Sequence, residues 1–118
     1  MKETIDTIIA WHKDTFPDAD LDGQIEKYHE ELHEWEDTDY TDISELADLF
    51  IVACGIARFD LGQGLMYLAD VYDQYCGNDL IGTDDVVAAV EKKMEKNRKR
   101  VWNKSGNGTY HHENGIED

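Results

Sequence analysis

Apolar positions recur every three or four residues along most of the chain, the period of an amphipathic α-helix. Glycine and proline are nearly missing from the long segments, so the pattern divides into five predicted helices. The first covers Lys2 to Thr15 and stops at Phe16-Pro17-Asp18. The second covers Leu21 to Glu36, with Asp20 or Asp22 as N-cap. The third runs from Ile43 to Phe59 behind Thr41 or Asp42. The fourth is shorter, Gln63 to Tyr75, and ends before Gly77-Asn78. The fifth starts after Thr83 and reaches Trp102, with acids in its first turn and bases in its last, an order that suits the helix dipole. Residues 103–118 are polar and glycine-containing and are expected to form a flexible tail.

The faces of these helices predict the packing. Helix two carries the stripe Ile25, Tyr28, Leu32 and Trp35, and helix five the stripe Val87, Val90, Met94 and Val101. Helix three is apolar nearly all round, from Leu46 to Phe59, and so belongs at the centre. The expectation is an all-α bundle of four to five helices around a central apolar helix, forming one domain over residues 1–102.

Composition narrows the function. The 118 residues carry a net charge of −16. The charge is uneven: residues 92–118 hold seven of the 11 bases against four acids, a net of +3, and residues 1–91 carry −19. An acidic body of this kind argues against nucleic acid and anionic membrane as partners. No apolar run is long enough to span a bilayer, and MKETIDTIIAWH lacks the pattern of a signal peptide. Cys54 and Cys76 are too few for a disulfide scaffold, so a cytoplasmic setting is expected.

Two acid pairs stand out against this background. Glu31 and Glu34 share one flank of helix two with Lys27, and Glu45 and Asp48 share one face of helix three. Asp48 is the more informative, because a carboxylate within an apolar helix needs a compensating cation. Residues 1–91 offer only Lys2, Lys13, Lys27 and Arg58 for that purpose. Two facing acid pairs would form an oxygen cage suited to Mg²⁺ or Mn²⁺. Competing with this, Asp42-Ile-Ser-Glu45 matches a capping box, and the helix-two acids match a solvated face.

Lys93, Asn97 and Arg100 follow one another at i, i+4 and i+7 on helix five, with Asn97 turned toward the core stripe. Opposite a carboxylate–metal site, such a row suits a polyphosphate; alone, it reads as a basic helix end. His29-Glu30-Glu31-Leu32-His33 matches the HExxH zinc motif, without a third ligand at a familiar spacing. Trp11, His12 and Phe16 could stack on a base, though aromatics so placed are more often core residues. Cys54 reads as core, and His111-His112 as part of the tail.

The string EExxE on one helix, ELADL on the next and KxxxNRxR on a later one resembles the MazG-like all-α nucleoside triphosphate pyrophosphohydrolases. The match spans Leu21 to Trp102, and the opening residues resemble the small phage and bacterial members that act on dATP and dGTP. The resemblance implies a bundle that forms homodimers or homotetramers and converts a (deoxy)nucleoside triphosphate to monophosphate and pyrophosphate. It implies that Glu31, Glu34, Glu45 and Asp48 hold Mg²⁺ or Mn²⁺, and that Lys93, Asn97 and Arg100 contact the phosphates. Glu30 or Glu34 would orient or deprotonate the attacking water, and Trp11 and His12 would lie near the base. The alternatives are a non-catalytic nucleotide-binding or helical interaction protein, and an HExxH zinc hydrolase.

Overall fold

A computed structural model describes residues 2–76, 81–100, 102–104 and 110–112. Five helices make up the body: α1 (Ile5–Thr15), α2 (Leu21–Asp37), α3 (Ile43–Phe59), α4 (Leu61–Cys76) and α5 (Thr83–Lys99). A short antiparallel ribbon follows, in which β1 (Trp102–Lys104) pairs with β2 (Tyr110–His112). The chain is an all-α helical bundle; the ribbon starts at Trp102, the expected end of helix five, and continues into the segment expected as a flexible tail. α4 ends at Cys76, one residue past the expected Tyr75; Gly77 to Leu80, which include the expected Gly77-Asn78 stop, and Val101, the last apolar position expected of helix five, lie outside the described residues.

Side-chain caps fix the helix starts. Asp20 accepts from the Gly23 N–H at 2.7 Å, which selects it over Asp22. Asp42 accepts from the Ser44 N–H at 3.0 Å. Thr4 and Thr7 bond reciprocally, so α1 begins at Ile5 rather than at Lys2. Asp60 accepts from the Gln63 N–H at 3.0 Å, and α4 begins two residues before the expected Gln63.

The predicted centre is where it was expected. α3 packs against α1, α2, α4 and α5. Leu46, Ala47, Leu49, Ala53, Cys54 and Ile56 are fully enclosed on it. The α3–α4 crossing is close, because a Cβ on Gly64 would stand 2.3 Å from the Ala57 Cα. Trp35 and Tyr28 anchor α2: Trp35 donates to Gln74 Oε1 at 3.1 Å and Tyr28 to Asp70 Oδ2 at 2.6 Å. Arg98 grips both Glu3 oxygens at 3.0 and 2.9 Å, tying α5 to the N-terminal segment.

A buried polar junction joins α1, α2 and α3. Arg58 donates to His12 Nδ1 at 3.0 Å and to the Phe16 carbonyl at 2.8 Å, closing the end of α1. Guanidinium can only donate, so Nδ1 accepts and the His12 proton sits on Nε2, which donates to Gln24 Oε1 at 3.1 Å. Burial, aided by the Arg58 charge and opposed by the Gln24 bond, holds His12 down to about 4.

Two helix faces differ from the expected ones. On α5 the inward row is Val86, Val90, Lys93, Met94 and Asn97, while Val87 is exposed. α5 also ends at Lys99 instead of Trp102, since Arg100 is extended and the Trp102 indole turns back to donate to the Asn97 carbonyl at 3.1 Å. That ring packs edge-on against Trp11 and Phe16, a tertiary contact that outweighs continuation of the helix. On α2 the buried row is Gln24, Tyr28, Glu31 and Trp35, with Ile25 and Leu32 only partly covered.

The α2–α3 connector is tight. Thr38 Oγ1 donates to the Trp35 carbonyl at 2.7 Å and accepts from the Thr41 and Asp42 N–H groups at 3.3 and 3.2 Å. Asp39 and Tyr40 both take φ of 60°. Two consecutive non-glycine residues in this left-handed region cost about 1–2 kcal/mol each.

Candidate metal and phosphate site

The register of α2 places Glu31 in the middle of its buried face, directed at α3. The cap at Asp42 sets the phase of α3, so Glu45 and Asp48 turn toward Glu31. One carboxylate oxygen from each of Glu31, Glu45 and Asp48 lies within 4.8 Å of the others. Among the described residues this is the single group of three or more such side chains able to hold a metal ion. Glu34 stands beside it, with its charge acting on all three and its carboxyl within hydrogen-bonding reach of Glu45.

Electrostatics set these acids against one another. Burial, with the Asp48 charge adding, pushes the Glu31 carboxyl up to about 8, against the pull of Lys27. Burial, with Asp48 and Glu34 adding, pushes Glu45 up to about 7. Burial also raises Asp48, opposed chiefly by Lys93. Two lysines moderate the cluster: Lys27 Nζ is 3.5 Å from Glu31, and Lys93 Nζ is 3.3 Å from Asp48. Sequence reasoning sought a cation for Asp48 within residues 1–91, and the partner comes instead from α5. Lys93 was expected at the phosphates, and its inward position on α5 places it against the carboxylates.

The cluster fits a hard divalent ion. Glu45 Oε1 is buried and has no hydrogen-bond partner, which is costly for a carboxylate oxygen. The Asp42 cap engages Ser44, through both its N–H and its hydroxyl, so the capping-box reading does not occupy Glu45. Three carboxylates converging from two helices provide the oxygen donors that Mg²⁺ or Mn²⁺ takes.

The remaining expected residues divide. Asn97 is buried, as its place on the inward row implies, with its amide 3.9 Å from Met94 Sδ. Arg100 donates to Asn97 Oδ1 at 3.1 Å and lies over the Trp102 ring. Glu30 is exposed on α2, outside the three-carboxylate group. His29 and His33 are also exposed; His29 lies edge-on to Tyr67, and His33 faces Glu36 at 3.4 Å. Among the described residues, no group of three side chains able to hold a metal includes His29 or His33. Trp11 and His12 are buried in the aromatic core and the polar junction, the packing role weighed against base stacking.

A cavity of about 710 Å³ adjoins the cluster, and sequence reasoning missed it. It lies between the α2–α3 connector and α5, with Tyr40 on one wall and Lys92, Lys93 and Lys96 on the other. The lysines were visible in the sequence as a basic helix end, but nothing there placed Tyr40 opposite them.

Comparison with known proteins gives one informative match. The chain is 31% identical over 105 residues to a dATP/dGTP diphosphohydrolase of Salmonella phage PMBT28. The aligned region covers 89% of this chain and 29% of that protein. No protein-family profile matches the chain, and no solved structure does. Among the described residues, no helix is long and apolar enough to cross a membrane. The chain is thus similar, over nearly its whole length, to under a third of a larger phage enzyme.

Proposed function

We propose that the chain is a MazG-like, metal-dependent (deoxy)nucleoside triphosphate pyrophosphohydrolase that favours dATP and dGTP. The observation carrying this reading is the convergence of Glu31, Glu45 and Asp48 around a buried, unpartnered Glu45 oxygen, next to a row of lysines. The phage relative, named for dATP/dGTP diphosphohydrolase activity, supports the choice of substrate.

Glu31, Glu34, Glu45 and Asp48 would hold Mg²⁺ or Mn²⁺. Such an ion, when bound, would neutralise phosphate charge and acidify a water. Glu34, whose charge acts on all three of those acids, would orient that water and take its proton, with Glu30 the alternative base. The water oxygen bonds to the α-phosphorus, and the bond from the α-phosphorus to the bridging oxygen breaks. Pyrophosphate leaves with its charge met by Lys93 and Arg100, while Asn97 fixes the Arg100 head. Two copies would pair through α4, whose Leu61, Leu65, Met66 and Tyr72 are exposed, in the cytoplasm of a bacterial cell or a phage host.

The test incubates the protein with each dNTP and NTP in Mg²⁺ or Mn²⁺, with an EDTA control, and separates products by ion exchange. Metal-dependent monophosphate and pyrophosphate are expected, lost in Asp48→Asn with the helical circular-dichroism signal retained. Diphosphate and phosphate would refute attack at the α-phosphorus. No turnover, with nucleotide still bound, would favour a non-catalytic nucleotide-binding protein.

A further inference from the structure

Trp11 and His12 are enclosed in the core, so the nucleoside must lie elsewhere. We propose that the cavity between Tyr40 and α5 seats the whole nucleotide, with the base against Tyr40 and the phosphate tail along Lys92 and Lys96; this rests on the function proposed above.

The cavity wall changes character along α5. Ile81, just before the helix, and Ala88 and Ala89 come first, with Asp85 between them accepting from the Gly82 N–H; Lys92, Lys93 and Lys96 follow one to two turns later. Tyr40 and Ile43 form the apolar wall contributed by the connector and the start of α3. An aromatic and aliphatic surface leading into three ammonium groups matches a ligand with a flat apolar ring at one end and a polyanion at the other. The volume of about 710 Å³ falls within the usual range for a small-molecule site.

Lys93 gives the cavity its direction. It lines the cavity, and its Nζ stands 3.3 Å from Asp48. Phosphate oxygens drawn to the lysine end therefore arrive beside the three carboxylates. Tyr40 supplies the other end. The residue is 44% exposed, and its ring is braced edge-on by Trp35 with ring centres 5.8 Å apart. Its backbone is held left-handed, at φ of 60°, where an aromatic residue is uncommon. Strain of this sort persists where the surroundings enforce it, and often at ligand sites.

Three variants test the seat. Tyr40→Asn removes the ring but keeps a residue that tolerates positive φ. Ala88→Trp fills the cavity from an exposed position, and Lys92→Ala/Lys96→Ala empties its basic end. Calorimetry with dATP and with inorganic tripolyphosphate, both with Ca²⁺, is paired with Mn²⁺ binding followed by electron paramagnetic resonance and with KM for dATP in Mg²⁺. Tyr40→Asn should weaken dATP about tenfold and leave tripolyphosphate unchanged. The double lysine variant should weaken both at least tenfold, Ala88→Trp should block dATP, and Mn²⁺ binding should persist in all three. Unchanged dATP affinity and KM in Ala88→Trp and Tyr40→Asn, with Mn²⁺ binding and turnover intact, would overturn the seat and leave the proposed function standing. A wild-type protein that binds no Mn²⁺ and hydrolyses no triphosphate would overturn both.

Discussion

Replacing Glu31 by Gln should stabilise the metal-free protein while abolishing its response to metal. Glu31 is 7% exposed, and its carboxyl is pushed up to about 8 from an ordinary value of 4.5, first by burial and then by Asp48. At pH 7 the fold therefore keeps a proton on Glu31 that the unfolded chain has released. A raised folded value means stability from this group is complete near pH 4.5 and declines as pH rises toward 8. Each pH unit across that window is worth about 1.4 kcal/mol, so by pH 7 the loss reaches about 3 kcal/mol. Glutamine carries no such cost, and a neutral side chain at this position can still meet Lys27 Nζ, which stands 3.5 Å from Glu31. In urea with EDTA, Glu31→Gln should exceed wild type by about 2–3 kcal/mol at pH 7.5 and match it near pH 5. The corresponding rise in Tm is about 10 °C. Adding Mn²⁺ at about a thousand times its Kd should invert the order, because it then contributes about 4.1 kcal/mol to the protein that binds it. A Gln variant less stable than wild type at pH 7.5 in EDTA would refute the claim that these carboxylates oppose folding.

Three further outcomes follow from the packing. His12, held near 4 by burial, adds stability that is complete above pH 6.5 and is lost as pH falls toward 4; its ring should remain neutral at pH 5 by nitrogen-15 NMR, and a midpoint near 6.5 would sink the Arg58–His12–Gln24 junction. Gly64→Ala must force α3 and α4 apart at Ala57 and should lose about 1–3 kcal/mol in urea, whereas Gly62→Ala, whose nearest neighbour is 3.4 Å away, should be neutral or slightly stabilising. Met94→Ala, at a fully buried α5 position, should lose about 2–5 kcal/mol, and a loss below 1 kcal/mol would show that the α5 row is misassigned.

The bundle was legible because its strongest signals are local. α3 lies between Ile43 and Phe59, as its capping aspartate and unbroken apolar run imply, and the paired acids converge because i, i+3 spacing allows little else. The misses came from contacts that no local pattern encodes. Val86 rather than Val87 faces inward because packing fixes a helix's rotation more finely than four apolar residues can. The Lys93 pairing with Asp48 at 3.3 Å was not foreseen, because only the three-dimensional arrangement brings that part of α5 against α3. α5 stops short of Trp102 because that indole finds Asn97, Trp11 and Phe16 at a distance the helical period does not register. Tyr40 gave no sign of a cavity, since its opposite wall lies some forty residues further along the chain.

The connector at residues 38–42 bears on how this protein can be re-engineered. Most surface turns accept added residues at small cost, since closing a longer loop adds only a fraction of a kcal/mol. Here Thr38 closes the turn through three of its own hydrogen bonds. The same five residues set the spacing between the helix bearing Glu31 and the helix bearing Glu45 and Asp48. An epitope, a fluorescent domain or new termini introduced at Asp39 or Tyr40 should therefore leave a folded bundle whose acids no longer meet. The turn is a ruler, and fusions belong at other positions.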